Sequence, residues 1–172
     1  MERDDTRFPL KPLTRAGIDA ALEKADQYRL LNQPGAAESI CLDVIALEPN
    51  EQRALRTMLL AQTDQFGDDR GAVRRARATL ARLTDRYEQT YYAGLIAERQ
   101  AKASLAQHTP GARFAAWDDL REAMMWYEKA EAIRPAGDDD AILRWNTCAR
   151  LLNASPQITP RSDEAVEPDI GE

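Results

Sequence analysis

The chain has one histidine, His108, and two cysteines, Cys41 and Cys148, among 172 residues. That shortage removes whole classes of chemistry. A lone histidine beside Pro110 in a loop supplies neither a ligand set nor a base oriented by a second group. Two distant cysteines with no Cys or His at ligand spacing make no metal site, and both fall in helical patterns, as buried thiols of a reducing cytosol do. No glycine-rich loop follows a strand: Gly67 to Gly71 encloses Asp-Asp-Arg and lacks the lysine and hydroxyl of a phosphate loop. No apolar run approaches the roughly 18 residues of a membrane span. The opening Met1-Glu-Arg-Asp-Asp-Thr-Arg carries no apolar core of a signal peptide. Carboxylate pairs such as Asp118 and Asp119, or Glu122 and Glu128, read as helix-surface charge. The expectation is a cytoplasmic, non-catalytic protein without cofactor, metal or membrane segment.

What is present is helix-forming and folded in character. Apolar residues make up 44% and charged residues 30%, a balance that builds one ordinary domain with its own core. A net charge of −6 excludes a generic nucleic-acid binder and leaves local basic patches to be judged separately. Residues 1–13 hold Pro9 and Pro12 and form an extended arm, either packed through Phe8, Leu10 and Leu13 or a loose leader. Residues 14–153 read as the helical domain. Residues 154–172 contain Ser155-Pro, Thr159-Pro and five acidic groups from Asp163 to Glu172, a disordered acidic tail.

Breakers divide residues 14–153 into seven helices. Thr14 caps the first, which runs to about Leu31 before Pro34-Gly35; the second covers Ala36–Glu48 and stops at Pro49. The third covers Gln52 to about Phe66. The fourth is expected from Ala72 to about Arg86, with Val73, Ala76, Leu80 and Leu83 on one side. A fifth, Glu88 to about Gln107, meets a sixth at Pro110-Gly111. Asp138 to Asp140 cap a seventh, Ala141–Leu152.

Two of these helices share a spacing. Ala123, Tyr127, Ala130 and Pro135 stand at offsets 0, 4, 7 and 12, and Ala37, Cys41, Val44 and Pro49 repeat them. The first three of each set share one helix face, where small residues admit a close neighbour and the proline ends the helix. Ala25 and Tyr28 precede Ala37 by 12 and 9 residues, and Tyr91-Tyr-Ala-Gly-Leu-Ile-Ala-Glu-Arg-Gln places Gly94 where close helix contact is needed. These motifs resemble the tetratricopeptide repeat (TPR), a helix-turn-helix of roughly 34 residues. The resemblance covers about four-fifths of the chain. It is good in repeats one and three and degenerate in repeat two, where Ala72 and Ala76 hold but Thr79 replaces a small residue and no proline closes the unit. Repeat three carries an insertion of 17 residues, so both its helices are extended. The implied fold is all-α: an α-solenoid of about three TPR-like hairpins plus a C-terminal capping helix, with Trp145 closing the stack. A non-repeat helical bundle is the alternative.

The resemblance implies a concave groove lined by first helices. Its positions fall on Leu22, Asp26, Arg29 and Leu30, then Arg53, Arg56, Leu60 and Thr63, then Tyr91, Leu95, Glu98 and Arg99. Arginines beside apolar anchors suit an acidic protein or peptide partner. The two-lysine, two-asparagine carboxylate clamp of chaperone-binding members is missing. A second feature is a basic patch of Arg70, Arg74, Arg75, Arg77, Arg82 and Arg86, expected on one helix and its approach. It reads as a solvated face, as a surface for an acidic protein or nucleic acid, or as the seat of the chain's own acidic tail. No aromatic interleaves with it, which disfavours single-stranded nucleic acid. Met124, Met125 and Trp126 offer an apolar edge for self-association. The leading expectation is an adaptor, scaffold or assembly subunit; a nucleic-acid-associated factor and a self-associating structural subunit are the alternatives.

Overall fold

A computed structural model of the chain describes residues 8–162. Among them are seven α-helices and no strand: α1 Ile18–Leu30, α2 Pro34–Leu47, α3 Gln52–Thr63, α4 Ala72–Leu80, α5 Arg86–Gln107, α6 Ala112–Ala132 and α7 Asp140–Ala154. Thr14 makes no side-chain cap; a single 3₁₀ turn, Arg15–Gly17, leads into α1 instead. Pro34 opens α2 at its first position, where the missing N–H costs nothing. Glu51 caps α3 by accepting from the amides of Arg53 and Ala54. His108 and Gly111, both at positive φ, turn the chain between α5 and α6, the two longest helices.

Each helix packs against the next in sequence, and α5 with α6 most extensively. The odd-numbered helices also meet along one side, α1 with α3 and α3 with α5. Two apolar clusters result. The first joins α1 to α4 around Leu22, Leu55, Leu59 and Phe66. The second joins α5 to α7 around Leu120, Met124, Tyr127 and Cys148. A fully buried leucine of this kind contributes about 1.5–3 kcal/mol. The first three residues of each repeated spacing are sealed in these clusters, and Ala25 with them: Ala25, Ala37, Cys41, Val44, Ala123, Tyr127 and Ala130 have no exposed surface, while the closing Pro49 and Pro135 are exposed. Gly94 shows why small residues are required. A Cβ there would stand 2.7 Å from Cε1 of Tyr127, closer than real carbon atoms approach.

The fourth helix is shorter than expected. It ends at Leu80, and the chain turns through Arg82 and Leu83 before Asp85 caps α5 by accepting from the Glu88 amide at 2.8 Å. Asp85-x-x-Glu88 is a start signal, and its first residue falls inside the segment expected to be the end of the fourth helix. The C-terminal region departs too. Residues 155–162 turn back, and Ile158 is buried in the second cluster, so the tail expected from residue 154 begins packed. The acidic residues 163–172, like residues 1–7, lie outside the described residues. In the arm, Leu13 packs on the first cluster while Phe8 and Leu10 are exposed. Trp145 packs against the second cluster and donates to Glu128 Oε1 at 3.0 Å.

Candidate binding surfaces

The groove positions fall on α1, α3 and α5, and most of them are turned to one another. Leu22, Thr63, Leu95 and Glu98 are buried, so these four line no open groove. The charged positions pair across helices. Asp64, just past α3, accepts from Arg29 Nε at 2.9 Å and from Arg99 Nη1 at 2.8 Å. Asp26 accepts from the Thr57 hydroxyl at 3.0 Å and from Arg53 at 3.4 Å, and Arg56 donates to Glu88 at 3.0 Å. This ladder ties α1 to α3 and α3 to α5, and it occupies the arginines expected to grip a partner carboxylate. Leu60 and Tyr91 are half-buried; Leu30, 88% exposed, is the open apolar position on this face.

The ladder ends in a charged centre. Glu98 on α5 has no exposed surface, and its carboxylate accepts from Tyr127 Oη at 2.7 Å, from Lys102 Nζ and from Arg144 Nη1 at 3.4 Å. A carboxylate so placed is tolerable only with its partners, because breaking a buried pair costs about 3–5 kcal/mol. Burial, reinforced by the Glu98 charge, pushes the Tyr127 phenol far above its ordinary range and keeps it the donor. Tyr91 stacks beside Tyr87 and meets Tyr92 edge-on, so the aromatic run builds a wall here. A recess of about 290 Å³ beside it is lined by Asp85, Glu88, Asp138 and Asp140 with those three tyrosines and Pro135, and its charged lining is all acidic.

The six arginines of the basic patch are dispersed by the fold. Arg82 lies in the turn after α4, where it donates to the Pro49 carbonyl at 2.6 Å, and Arg86 begins α5. Arg75 is used inside the fold, donating to Glu38 at 2.9 Å and to Asp69 at 2.8 Å. Desolvation raises the Glu38 pKa, but hydrogen bonds from Arg75, Gln62 and Gln65 outweigh it and hold the carboxyl below its ordinary value. Thr79, the residue that broke the small-residue pattern, donates to Gln62 Oε1 at 2.8 Å in the same network. The substitution therefore has a structural partner.

Two patch members converge on something new. Arg77 near the end of α4 and Arg86 at the start of α5 face a cleft of about 830 Å³ whose far wall is the C-terminal half of α6. The cleft exists because α4 stops at Leu80 while α6 continues to Ala132, with α5 as the floor between them. Leu80, Ala93 and Ile133 give it apolar surface beside Gln89 and Thr90, and Trp126 stands in the α6 wall with Lys129 Nζ 4.6 Å from its ring centroid. Arg77, Arg86 and Lys129 have no ion-pair partner among the described residues, and no carboxylate lines the cleft. Glu122, which accepts from Trp126 Nε1 at 3.3 Å, borders the adjoining depression. Periodicity marked Arg77 and Arg86 as surface charge but had no means of pairing them with Lys129, 52 and 43 residues away in sequence. The apolar edge expected at Met124, Met125 and Trp126 is divided in the same way: Met124 is buried, Met125 is exposed and Trp126 belongs to the cleft.

Among the described residues no group of His, Cys, Asp and Glu could hold a metal ion, and no helix is long and apolar enough to cross a membrane. No family model, curated protein or solved structure matches the chain.

Proposed function

We propose that the protein is a non-catalytic, TPR-like α-solenoid that binds another protein, as an adaptor or assembly subunit, and that the α4–α5–α6 cleft is where it does so. The observation that carries this reading is the contrast between two surfaces. Charges on the α1–α3–α5 side are satisfied by one another, whereas the cleft combines the apolar surface of Leu80, Ala93, Trp126 and Ile133 with three cations that stand in no ion pair among the described residues. Interfaces of this kind take an apolar anchor at the centre and charge at the rim. The fitting partner is a peptide segment with carboxylates flanking one or two bulky aliphatic side chains. Against a net charge of −6, a local positive rim also steers such a segment to this site rather than to the rest of the surface.

An array of dodecapeptides in which negative charge and aliphatic content vary independently tests the proposal on the full chain. Binding should require both properties and should fall at least tenfold in an Arg86→Glu, Lys129→Glu double variant. A Tyr91→Ala, Arg56→Ala variant, which alters the opposite side, should bind as wild type does. The reverse ranking of these two variants would return the site to the α1–α3–α5 side and sink the cleft assignment.

A further inference from the structure

The cleft has the dimensions of a helix. Its floor runs from Arg86 to Ala93 on α5, and its far wall from Trp126 on α6 to Ile133 at that helix's end. Each span is seven residues, about 10.5 Å at 1.5 Å per residue. A volume of about 830 Å³ over that length gives a section of about 80 Å², or a channel about 10 Å across. One α-helix with its side chains is about 10–12 Å wide, and the length holds two of its turns.

The backbone chemistry of the walls points the same way. No strand exists among the described residues, so an extended peptide finds no sheet edge to pair with. The carbonyls of Arg77, Thr79 and Leu80 at the end of α4 already accept from the amides of Ala81, Arg82 and Leu83. Gln89 donates to the Leu83 carbonyl and Thr90 to that of Arg86, so their side-chain oxygens are what remains for a row of peptide amides. An amide left unpaired against apolar surface is costly, whereas a helix pairs its own backbone and presents only side chains. We propose that the cleft binds an acidic amphipathic α-helix of a partner protein, laid along α6 where further turns of α4 would run. The inference rests on the cleft being the binding surface, and it adds the conformation of what binds there.

The cations are distributed as such a helix requires. Arg77 donates to Gln100 at 3.3 Å, and Gly94 stands opposite Tyr127, so Arg77 marks the Ala93–Trp126 end of the cleft. Arg86 marks the other end, near Ile133, and Lys129 stands between them on α6. A helix with aliphatic side chains at i and i+4 toward Leu80, Ala93 and Ile133 carries carboxylates on both flanks. One flank meets Arg77 at α4, the other meets Lys129 on α6, and one end meets Arg86.

Two dodecapeptides of identical composition, rich in glutamate and leucine with a single proline, test this on the full chain at low salt. In one the proline stands first and the leucines follow helical spacing; in the other the proline is central and the leucines alternate. Free in solution, peptides this short hold little helix. The first should gain helical ellipticity on binding and should bind at least tenfold more tightly than the second. Both effects should vanish in the Arg86→Glu, Lys129→Glu variant. Equal affinity, with amide shifts at Thr90, Ala93, Lys129 and Ile133 for both peptides, would overturn the helix inference and leave the cleft reading standing. Binding by neither peptide, or affinities unmoved by the double variant, would overturn the cleft reading and this inference with it. Sedimentation of the protein alone that slowed in the double variant would give the cleft to a second copy of the chain instead.

Discussion

Replacing Gly94 by alanine isolates the close approach of α5 and α6. In the interior of a helix, the change alone favours folding by about 0.8–1 kcal/mol, since glycine is the poorer helix former. Here the added Cβ meets Cε1, Cδ1 and Cζ of Tyr127 at 2.7, 2.9 and 3.1 Å. That ring is fully buried, and its hydroxyl is anchored on Glu98 at 2.7 Å, so it has little freedom to retreat. Overpacking of a tight core costs about 1–3 kcal/mol, and three close contacts with an anchored ring belong in the upper half of that range. The balance is a net loss of about 1–2 kcal/mol, or a fall in Tm of about 2–8 °C for a domain of this size. Gly35 in the first turn of α2 is the control: its nearest neighbour is the end of the Gln65 side chain at 4.0 Å, and Gly35→Ala should be neutral or stabilise by up to about 1 kcal/mol. Thermal and urea unfolding followed by circular dichroism reads both. If Gly94→Ala matched or exceeded wild-type stability, the argument that α5 and α6 are drawn together around a glycine would be refuted.

Further outcomes follow from the buried titratable groups. Burial first, then the charges of Glu122 and Asp118, push the Asp119 carboxyl up to about 6. A folded pKa above the unfolded value means the native state holds the proton more tightly, so stability falls as pH rises from about 4 to 6. Asp119→Asn should therefore raise Tm by about 2–4 °C at pH 8, with the gain vanishing near pH 4; a gain independent of pH would contradict this. Burial pushes Cys41 and Cys148 up to about 12, so neither should react with a disulfide reagent at pH 8 until denaturant is added, when both should.

The sequence shows what faces inward and conceals how charges meet. Small residues at regular offsets signalled the sealed faces of α2 and α6, and Gly94 was recognisable as a contact point because close helix packing leaves no other choice. Leu22 and Leu95 show the limit of the resemblance: a position on a repeat says which helix face a side chain occupies, not whether neighbouring helices close over it. The pairing of Asp64 with Arg29 and Arg99 joins residues 35 apart in sequence, beyond any helical period. Asp85 was a readable cap that the strong apolar spacing through Leu83 concealed. Missing it lengthened α4 by a turn and a half and hid the cleft, since the cleft exists only because α4 stops early.

Residue-level mapping of a peptide titration tests the central claim most directly. Full-length 15N-labelled protein is titrated at low salt with a synthetic dodecapeptide that carries four carboxylates and two leucines. The account predicts shifts concentrated at Thr90, Ala93, Lys129 and Ile133, lost in the Arg86→Glu, Lys129→Glu variant. Shifts centred instead on Leu30, Leu60 and Tyr91 would contradict it.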